Sequence, residues 1–327
     1  MFETIKLEKS MYNLSGKSFT QALESLDPSD NYIGTPYEGM DAYERQLKRF
    51  DIKVSGADCD KVDKFFATTE SAVLFPEFVK RCISEGISGT VLEDVFAVKT
   101  KINSRYYNGV IATDDGVWDT NIGQGEAFNT TTIKEGSSGI ALKKYGRTIK
   151  TSYEFLRTQN LDLLGVLLRN VGRRIGVTAF YNSIKDICGS LEFDTTDYNT
   201  YQYQDLVDIY NGFNNFSLTG ILVAPEVLGQ ISTLTELADY TVTETGRLKL
   251  PFGTELIPVK GLGNSDGIIG FDKSFAFEFV QSGDVIVDVD KLIDAQMDVI
   301  NTSITVAGKC LNTDAVKYVK HGTAFYE

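Results

Sequence analysis

The longest regular pattern of apolar and polar residues runs from about residue 159 to residue 187. Apolar side chains recur there at intervals of three and four, the spacing of one buried helical face. The positions are Leu161, Leu164, Leu168, Val171, Ile175, Ala179, Ile184 and Cys188. A helix of roughly 28 residues would be about 42 Å long at ~1.5 Å per residue. A helix of this length with no catalytic cluster beside it favours a role in assembly.

The segment before this helix, residues 112–142, is polar and rich in Gly, Thr, Ser and Asp, and it holds the only tryptophan, Trp118. A polar connection of about thirty residues is uncommon inside a compact domain and is usually functional or disordered. Short strand-like pieces within it predict a protruding two-stranded arm that another chain covers. The pair Asn108-Gly109 is typical of a hairpin turn.

Other elements are shorter. The sequence predicts a helix beginning near Pro76, a short helix over 205–212, a buried strand over 221–224 that leads into a helix through Pro225, and paired strands around Gly253. Because helices and strands do not alternate regularly, the fold class is α+β with antiparallel strands, not a doubly wound parallel sheet.

Composition narrows the function. The 327 residues carry a net charge of −13, which disfavours nucleic-acid binding over the whole surface, since binding phosphates needs a basic footprint. The N-terminus has no secretory h-region, and no run approaches the ~18 apolar residues of a membrane span. The scattered cysteines, Cys59, Cys82, Cys188 and Cys310, are interpreted as isolated thiols of a reducing compartment.

Candidate chemistry is sparse. Residues 261–267, GLGNSDG, lack the third glycine of a dinucleotide fingerprint and favour a turn. His321 is the only histidine, so no histidine triad or HExxH zinc site can form, and an exposed tail is favoured. The aspartates between residues 284 and 298 lack the register of a calcium loop, which favours a strand with one solvated face. The sequence therefore predicts no catalytic residue, no cofactor and no metal.

Two groups of basic residues are candidate binding surfaces. Arg45, Lys48, Arg49 and Lys53 are interleaved with acidic residues, which favours a solvated helix face over a phosphate site. Arg169, Arg173 and Arg174 lie on the long helix, with Arg169 and Arg173 four residues apart on one face. Surface ion pairs are the favoured interpretation of these arginines, and a wall that faces nucleic acid is the alternative.

The order of these parts resembles the tailed-phage (Caudoviricetes) major capsid proteins with the Hong Kong 97 fold. Residues 41–54 (DAYERQLKRFDIKV) and 65–83 resemble the N-terminal arm region of one branch of that family. Residues 141–187 resemble the return strand of its extended loop running into a spine helix. Residues 219–234 (TGILVAPEVLGQISTL) resemble a strand and helix of its axial domain, and residues 292–319 resemble its closing strands.

The resemblance implies an α+β, Hong Kong 97-type capsid fold with an N-terminal arm, an extended loop, a peripheral domain with a long spine helix, and an axial domain. The expected divisions are the arm (1–71), the peripheral domain in three pieces (72–105, 143–204 and 283–308), the extended loop (106–142), the axial domain (205–282) and a C-terminal segment returning to the axial domain (309–327). The expected subunit-interface residues are Trp118, Phe128, Lys134, Arg169, Arg173 and Arg174.

The implied function is a major capsid protein that is not an enzyme and that assembles itself, as pentamers and hexamers, into an icosahedral shell around double-stranded DNA. The implied partners are portal, scaffolding and possible cement proteins, with no sequence-specific DNA contact and no membrane. The implied location is the virion, after assembly in the host cytoplasm. In some relatives a loop lysine forms an isopeptide bond, but neither Lys134 nor Lys143 matches a motif for it. An encapsulin-like compartment and a carboxylate-dependent hydrolase stay open as alternatives.

Overall fold

The computed structural model describes residues 5–14, 16–90, 95–113, 123–125, 130–136, 139–196, 201–213, 215–237, 241–242, 247–250, 252–263 and 267–321. The chain divides into two compact units, each assembled from three separate stretches. Unit 1 contains residues 1–90, 146–176 and 285–304, and unit 2 contains residues 91–145, 177–284 and 305–327. Each unit is therefore built from stretches that are distant in sequence.

Unit 1 begins with four helices, α1 (Phe19–Leu26), α2 (Ala42–Arg49), α3 (Thr69–Ala72) and α4 (Phe75–Ser88). Capping boxes at Ser18 and Asp41 start the first two, because each side chain accepts a hydrogen bond from the third helical N–H. Proline in the first turn of α4 matches the predicted start near Pro76.

The interpretation of the basic stretch on α2 as a solvated face is wrong for Arg45, which is completely buried. Its Nε donates to Asp27 Oδ2 at 2.8 Å, its Nη1 donates to the Met40 carbonyl at 2.6 Å, and its guanidinium lies over the Tyr32 ring. Lys48 remains exposed. The sequence did not show that Arg45 is buried while Lys48 is exposed. The partner of Arg45, Asp27, lies at the end of a different helix, α1.

The predicted long helix is confirmed as α6 (Leu161–Gly189), which follows the short helix α5 (Tyr153–Thr158). Its 29 residues begin two positions later than predicted, because Gln159 caps α5 and Asn160 forms a bridge with Lys61. Six of the eight predicted apolar positions are buried, and Val171 and Cys188 are partly buried.

Within unit 1, helix α6 crosses α4 at backbone distance. A Cβ added at Gly172 would collide with the Ile83 carbonyl, and one added at Gly86 would collide with the Arg169 carbonyl. A Cβ added at Gly176 would lie 2.9 Å from the side-chain methyl carbon of Thr90, a less severe contact. Glycine at these positions lets the two helices approach more closely than side chains would allow.

The remaining strands of unit 1 are β6 (Lys143–Ser152, its residues from 146), β14 (Ile286–Leu292) and the first part of β15 (Met297–Cys310). β14 pairs antiparallel with β15, from Ile286 opposite Ser303 to Leu292 opposite Met297. β6 also pairs with β15, where Gly146 packs tightly on Thr302. β14 has β15 as its one strand neighbour among the described residues, so its outer edge is unpaired.

In unit 2, β1 (Val98–Ile102) pairs parallel with β13 (Phe277–Ser282), and β13 pairs antiparallel with the end of β15. A second sheet of seven strands has the order β7-β16-β12-β8-β11-β10-β9. Its strands are β7 (Asp194–Thr196), β8 (Gly220–Val223), β9 (Thr241–Val242), β10 (Leu248–Lys249), β11 (Glu255–Pro258), β12 (Ile268–Phe271) and β16 (Val316–His321).

Two helices belong to the same unit, α7 (Tyr203–Asn211) and α8 (Pro225–Ser232). They confirm the predicted short helix and the predicted passage from a buried strand into a helix through Pro225. The predicted pairing around Gly253 is also confirmed, since Lys249 of β10 lies opposite Glu255 of β11 and Gly253 has a positive φ. Residues 261–263 and 267 lie between β11 and β12, as a turn requires.

The prediction of a hairpin at Asn108-Gly109 is wrong. β2 (Tyr106–Tyr107) pairs with β5 (Ile140–Ala141), whereas β3 (Val110–Thr113) pairs with β4 (Thr132–Glu135). The Asn-Gly pair therefore connects β2 to β3, two consecutive short strands that each pair with a different partner strand. Gly109 has a φ of +71°, so the glycine was needed for a bend and not for a reversal.

The expectation of an exposed tail at His321 is also wrong for the backbone. His321 closes strand β16 opposite Thr196 of β7, so it is held by a strand pair. None of the described helices is long and apolar enough to span a membrane.

Candidate assembly surfaces

The extended segment, residues 106–142, begins and ends beside the sheet of unit 2, and a buried carboxylate holds this base, called the root below. Glu278 of β13 is buried, and its Oε1 accepts hydrogen bonds from the Tyr107 hydroxyl at 2.8 Å and from the Thr100 hydroxyl. Burial, together with the hydrogen bond to Glu278, raises the pKa of Tyr107. The tyrosine therefore stays protonated and donates to the carboxylate at neutral pH.

Further contacts hold the same root. Lys309 Nζ donates to the Asn108 carbonyl at 2.6 Å and lies 5.8 Å from the centre of the Tyr107 ring. Beneath it, Leu142, Val280 and Ala307 form a small apolar cluster with Ile102, Tyr107 and Ile140 packed against it. The base of the segment is thus fixed by both polar and apolar contacts, none of which was predictable from the segment's own sequence.

Beyond the root, β4 pairs with β3 and presents its own side chains to solvent. All four residues of β4 are exposed, and Ile133 is 72% exposed. Lys134, one of the predicted interface residues, is exposed on β4 and lies opposite Ile111 of β3. A two-stranded ribbon is marginally stable in water by itself, and the interface role of this ribbon stays a prediction.

Two other predicted interface residues of this segment, Trp118 and Phe128, lie outside the described residues. Their role stays a prediction.

The first turns of α6 carry a second exposed apolar group. Leu163, Val166 and Leu167 are each about half exposed, and Phe155 of α5 is exposed nearby in sequence. The spacing of three and four residues places the three aliphatic side chains on one helical face, opposite the face that Leu161, Leu164 and Leu168 bury. A search for a single apolar face misses Leu163, Val166 and Leu167, because with the buried leucines they make the first turns of α6 apolar on nearly all sides.

The three arginines of α6 are all at the surface. Arg169 Nη1 lies 3.3 Å from Glu85 Oε2 of α4, in an ion pair that is partly solvated on both sides, and such pairs contribute little to stability. Arg173 and Arg174 are exposed. The favoured interpretation of surface ion pairing therefore fits Arg169, and the interface role of the three arginines stays a prediction.

Unit 1 contains a groove of about 690 Å³ between its helical part and β14. Its apolar walls include Val73, Phe75 and Pro76 on one side and Val287 and Val289 on the other. The charged lining residues are Lys9, Asp288, Asp290, Lys291 and Asp298. No property of the sequence singled out this groove, because its walls come from stretches more than 200 residues apart.

The acidic stretch divides in a way that the sequence did not predict. Asp288 and Asp290 are exposed, as expected for a solvated strand face, and Asp284 pairs with Lys101. Asp298, in contrast, is 4% exposed, and burial raises its pKa. Among the described residues, no group of three or more His, Cys, Asp or Glu side chains is arranged to hold a metal ion.

None of the four cysteines, Cys59, Cys82, Cys188 and Cys310, forms a disulfide bond. Burial raises the pKa of both Cys82 and Cys310 to about 11, so these two are protonated at neutral pH and are poor nucleophiles.

Comparison with known proteins gave matches by structure and none by sequence. No family model and no curated protein matches the chain. The structure is similar to the capsid of an empty GTA particle (15% identity, TM-score 0.54, covering 71% of this chain and 89% of that one). It is also similar to the capsid of cyanophage P-SCSP1u (12%, 0.51, 72% and 89%) and to an encapsulin complex from Synechococcus elongatus (10%, 0.50, 70% and 89%).

At these identities the likeness establishes the fold. The chain has the mixed helix-and-sheet fold of the Hong Kong 97-type capsid structures, and the predicted fold class is confirmed at that level. The domain divisions expected from the resemblance stay a prediction.

Proposed function

We propose that this protein is the major capsid protein of a tailed phage and that its copies assemble into a closed icosahedral shell around double-stranded DNA. The observation that carries the proposal is the fold itself, shared along about seven-tenths of the chain with proteins described as capsids. The role is structural and not enzymatic. The product is a virion component formed in the host cytoplasm, with pentamers and hexamers as its building units.

Two exposed apolar surfaces support self-assembly. The extended loop, residues 106–142, presents Ile133, and helix α6 presents Leu163 and Leu167. Leaving such side chains in water loses about 25 cal/mol for each Å² that a partner would otherwise cover. Copies that covered one another's surfaces would recover this free energy, and the extensive interfaces of a shell suit a chain that displays several such patches.

The proposal extends to the contents and partners of the shell. A net charge of −13 disfavours strong binding of the inner wall to phosphate, which suits a genome that must be released. Portal, scaffolding and cement proteins would then be separate chains, and Trp118, Phe128, Lys134, Arg169, Arg173 and Arg174 are proposed to lie at subunit interfaces.

A compartment for protein cargo is the second candidate, because the chain also resembles an encapsulin complex at a TM-score of 0.50. The two functions differ in what the particle encloses. Native particles treated with nuclease and then extracted are expected to yield protected double-stranded DNA. Particles that hold a protein and no nucleic acid would favour the compartment.

Electron microscopy of the purified chain tests assembly. Closed shells, pentamers or hexamers are expected, and a strictly monomeric protein at high concentration would refute the proposal. Deletion of residues 112–138 is expected to give soluble subunits that form no shells. Ile133→Ser is expected to slow assembly, whereas Ile33→Ser, at an equally exposed position (72%) of unit 1, serves as the matched control.

A further inference from the structure

Asp298 is a buried carboxylate that lines the groove of unit 1 without a partner of its own. It is 4% exposed. Within the part of the chain that the structure describes, no hydrogen-bond donor reaches its oxygens and no lysine or arginine nitrogen lies within 4.0 Å of them. Its oxygens are not among the fully enclosed side-chain atoms that lack a partner, so they open onto the groove, where a group supplied from outside can reach them.

The two cations that act electrostatically on Asp298, Lys291 and Arg157, lie beside aromatic rings. Lys291 lies opposite Asp298 in the strand pair, but its Nζ is 5.4 Å from the centre of the Tyr153 ring. Arg157 has its guanidinium 5.4 Å from the centre of the Phe66 ring. Their charges oppose the effect of burial on Asp298 without cancelling it. Lys9, the remaining cation of the lining, is exposed.

The groove is not built for a metal ion. Asp288 and Asp290 also line it, but strand residues alternate between faces. Asp298 is paired with Lys291 and so shares the face of Val287 and Val289, whereas Asp288 and Asp290 project from the opposite face. The carboxylates therefore do not converge, as the absence of any metal-holding cluster among the described residues also indicates.

We propose that this groove binds a primary alkylammonium group, with the ammonium on the Asp298 carboxylate and the aliphatic chain between the apolar walls. Phe75 and Pro76 would cover one side of the chain, and Val287 and Val289 the other. A volume of about 690 Å³ lies within the range of small-ligand sites. This binding does not depend on the proposed function, because every wall belongs to unit 1 of a single copy.

The probe is n-hexylammonium, titrated calorimetrically into the full-length chain at a concentration where gel filtration shows subunits. Asp298→Asn should weaken its binding by about tenfold or more, the change expected when a charge-assisted hydrogen bond is lost. Asp294→Asn, which removes an exposed carboxylate of the same acidic stretch from outside the groove lining, should change binding by less than about twofold. Hexanol, with the same chain and no charge, should bind at least about tenfold more weakly than the amine.

Equal binding to the wild type and to Asp298→Asn would overturn the proposal, as would no binding to the wild type. Asp298→Asn should fold, since it replaces a buried charge with a neutral group of the same shape, and circular dichroism checks this. The same titration on assembled particles separates two sources of the ammonium. If assembled particles bind the probe as well as unassembled subunits do, the groove is open and its ligand is a free amine. If assembly removes only the binding that depends on Asp298, a lysine of another copy occupies the groove.

Discussion

The contact between α4 and α6 provides the most direct test of the packing in unit 1. Gly172→Ala adds one methyl group at a position where it would collide with the backbone of Ile83. A backbone carbonyl in the middle of a helix cannot rotate away as a side chain can. The two helices must therefore separate locally, which weakens the contacts of the residues packed beside them.

Two opposing effects set the size of the change. Alanine is favoured over glycine in a helix by up to about 1 kcal/mol. Overpacking of a tight contact costs about 1–3 kcal/mol. The net expectation for Gly172→Ala is a loss of about 1 kcal/mol in the free energy of unfolding.

Gly229→Ala in α8 is the matched control, because Gly229 also lies inside a helix but has nothing within 4 Å of the added methyl group. It should gain about 0.5–1 kcal/mol from helix propensity alone. The difference between the two variants, about 2 kcal/mol, isolates the collision. Urea unfolding of unassembled subunits, followed by circular dichroism, measures both variants.

The reasoning would be refuted if Gly172→Ala stabilised the protein as much as Gly229→Ala. A second check uses Gly86, which packs against the Arg169 carbonyl from the other side. Gly86→Ala combined with Gly172→Ala should lose less than the sum of the single losses, because the first methyl group already separates the helices. Strict additivity would indicate that the two glycines act independently.

Three further changes test other buried groups. Arg45→Met leaves Asp27 buried without its ion-pair partner, and urea unfolding should show a loss of about 3–5 kcal/mol. Burial raises the pKa of Asp298. Its contribution to the free energy of unfolding is therefore fully present below the ordinary carboxyl pKa and is lost as the pH rises through the raised value. Asp298→Asn should remove this loss, which urea midpoints measured across that pH range would show. Tyr107→Phe removes one of the donors to the buried Glu278, and it should lower stability by about 1–3 kcal/mol and speed amide exchange at the root of the extended segment.

Each of these changes has a neighbouring control. Lys48→Met on α2, Asp290→Asn on β14 and Tyr106→Phe on β2 alter exposed residues of the same kind, and each should change stability by less than about 0.5 kcal/mol. A loss for Lys48→Met equal to that for Arg45→Met would contradict the ion-pair argument. An unchanged pH dependence in Asp298→Asn would show that its carboxyl does not carry the effect. Unchanged exchange rates in Tyr107→Phe would show that the root is held without the hydroxyl.

The sequence was informative wherever a pattern within one element determined the structure. Helix α6 was predicted within two residues at each end, because its buried face repeats over eight turns. The passage from β8 into α8 was predicted because Pro225 can occupy a first helical turn. These features depend on residues close together in the chain.

Features that depend on distant partners were missed. The burial of Arg45 was missed because its partner, Asp27, lies 18 residues away in the sequence. The burial of Asp298 was missed because five scattered aspartates do not show which face of a strand is buried. Asn108-Gly109 has the composition of a hairpin turn, but strand pairing determines whether the chain reverses. Which strands pair depends on the partner strands β4 and β5 and not on the dipeptide.

The glycine crossing also has a meaning for ancestry. Chains with this fold can differ at nearly nine positions in ten, as the 10–15% identities with known shells illustrate. Overall sequence identity is then too low to show common ancestry. Positions 86 and 172 are different, because the backbone of one helix occupies the space that a side chain on the other would need. In a library of substitutions at these two positions, side chains larger than alanine should be rare among the variants that fold, while neighbouring positions accept many. Such a pair would let a remote relative be recognised after the rest of its sequence had diverged.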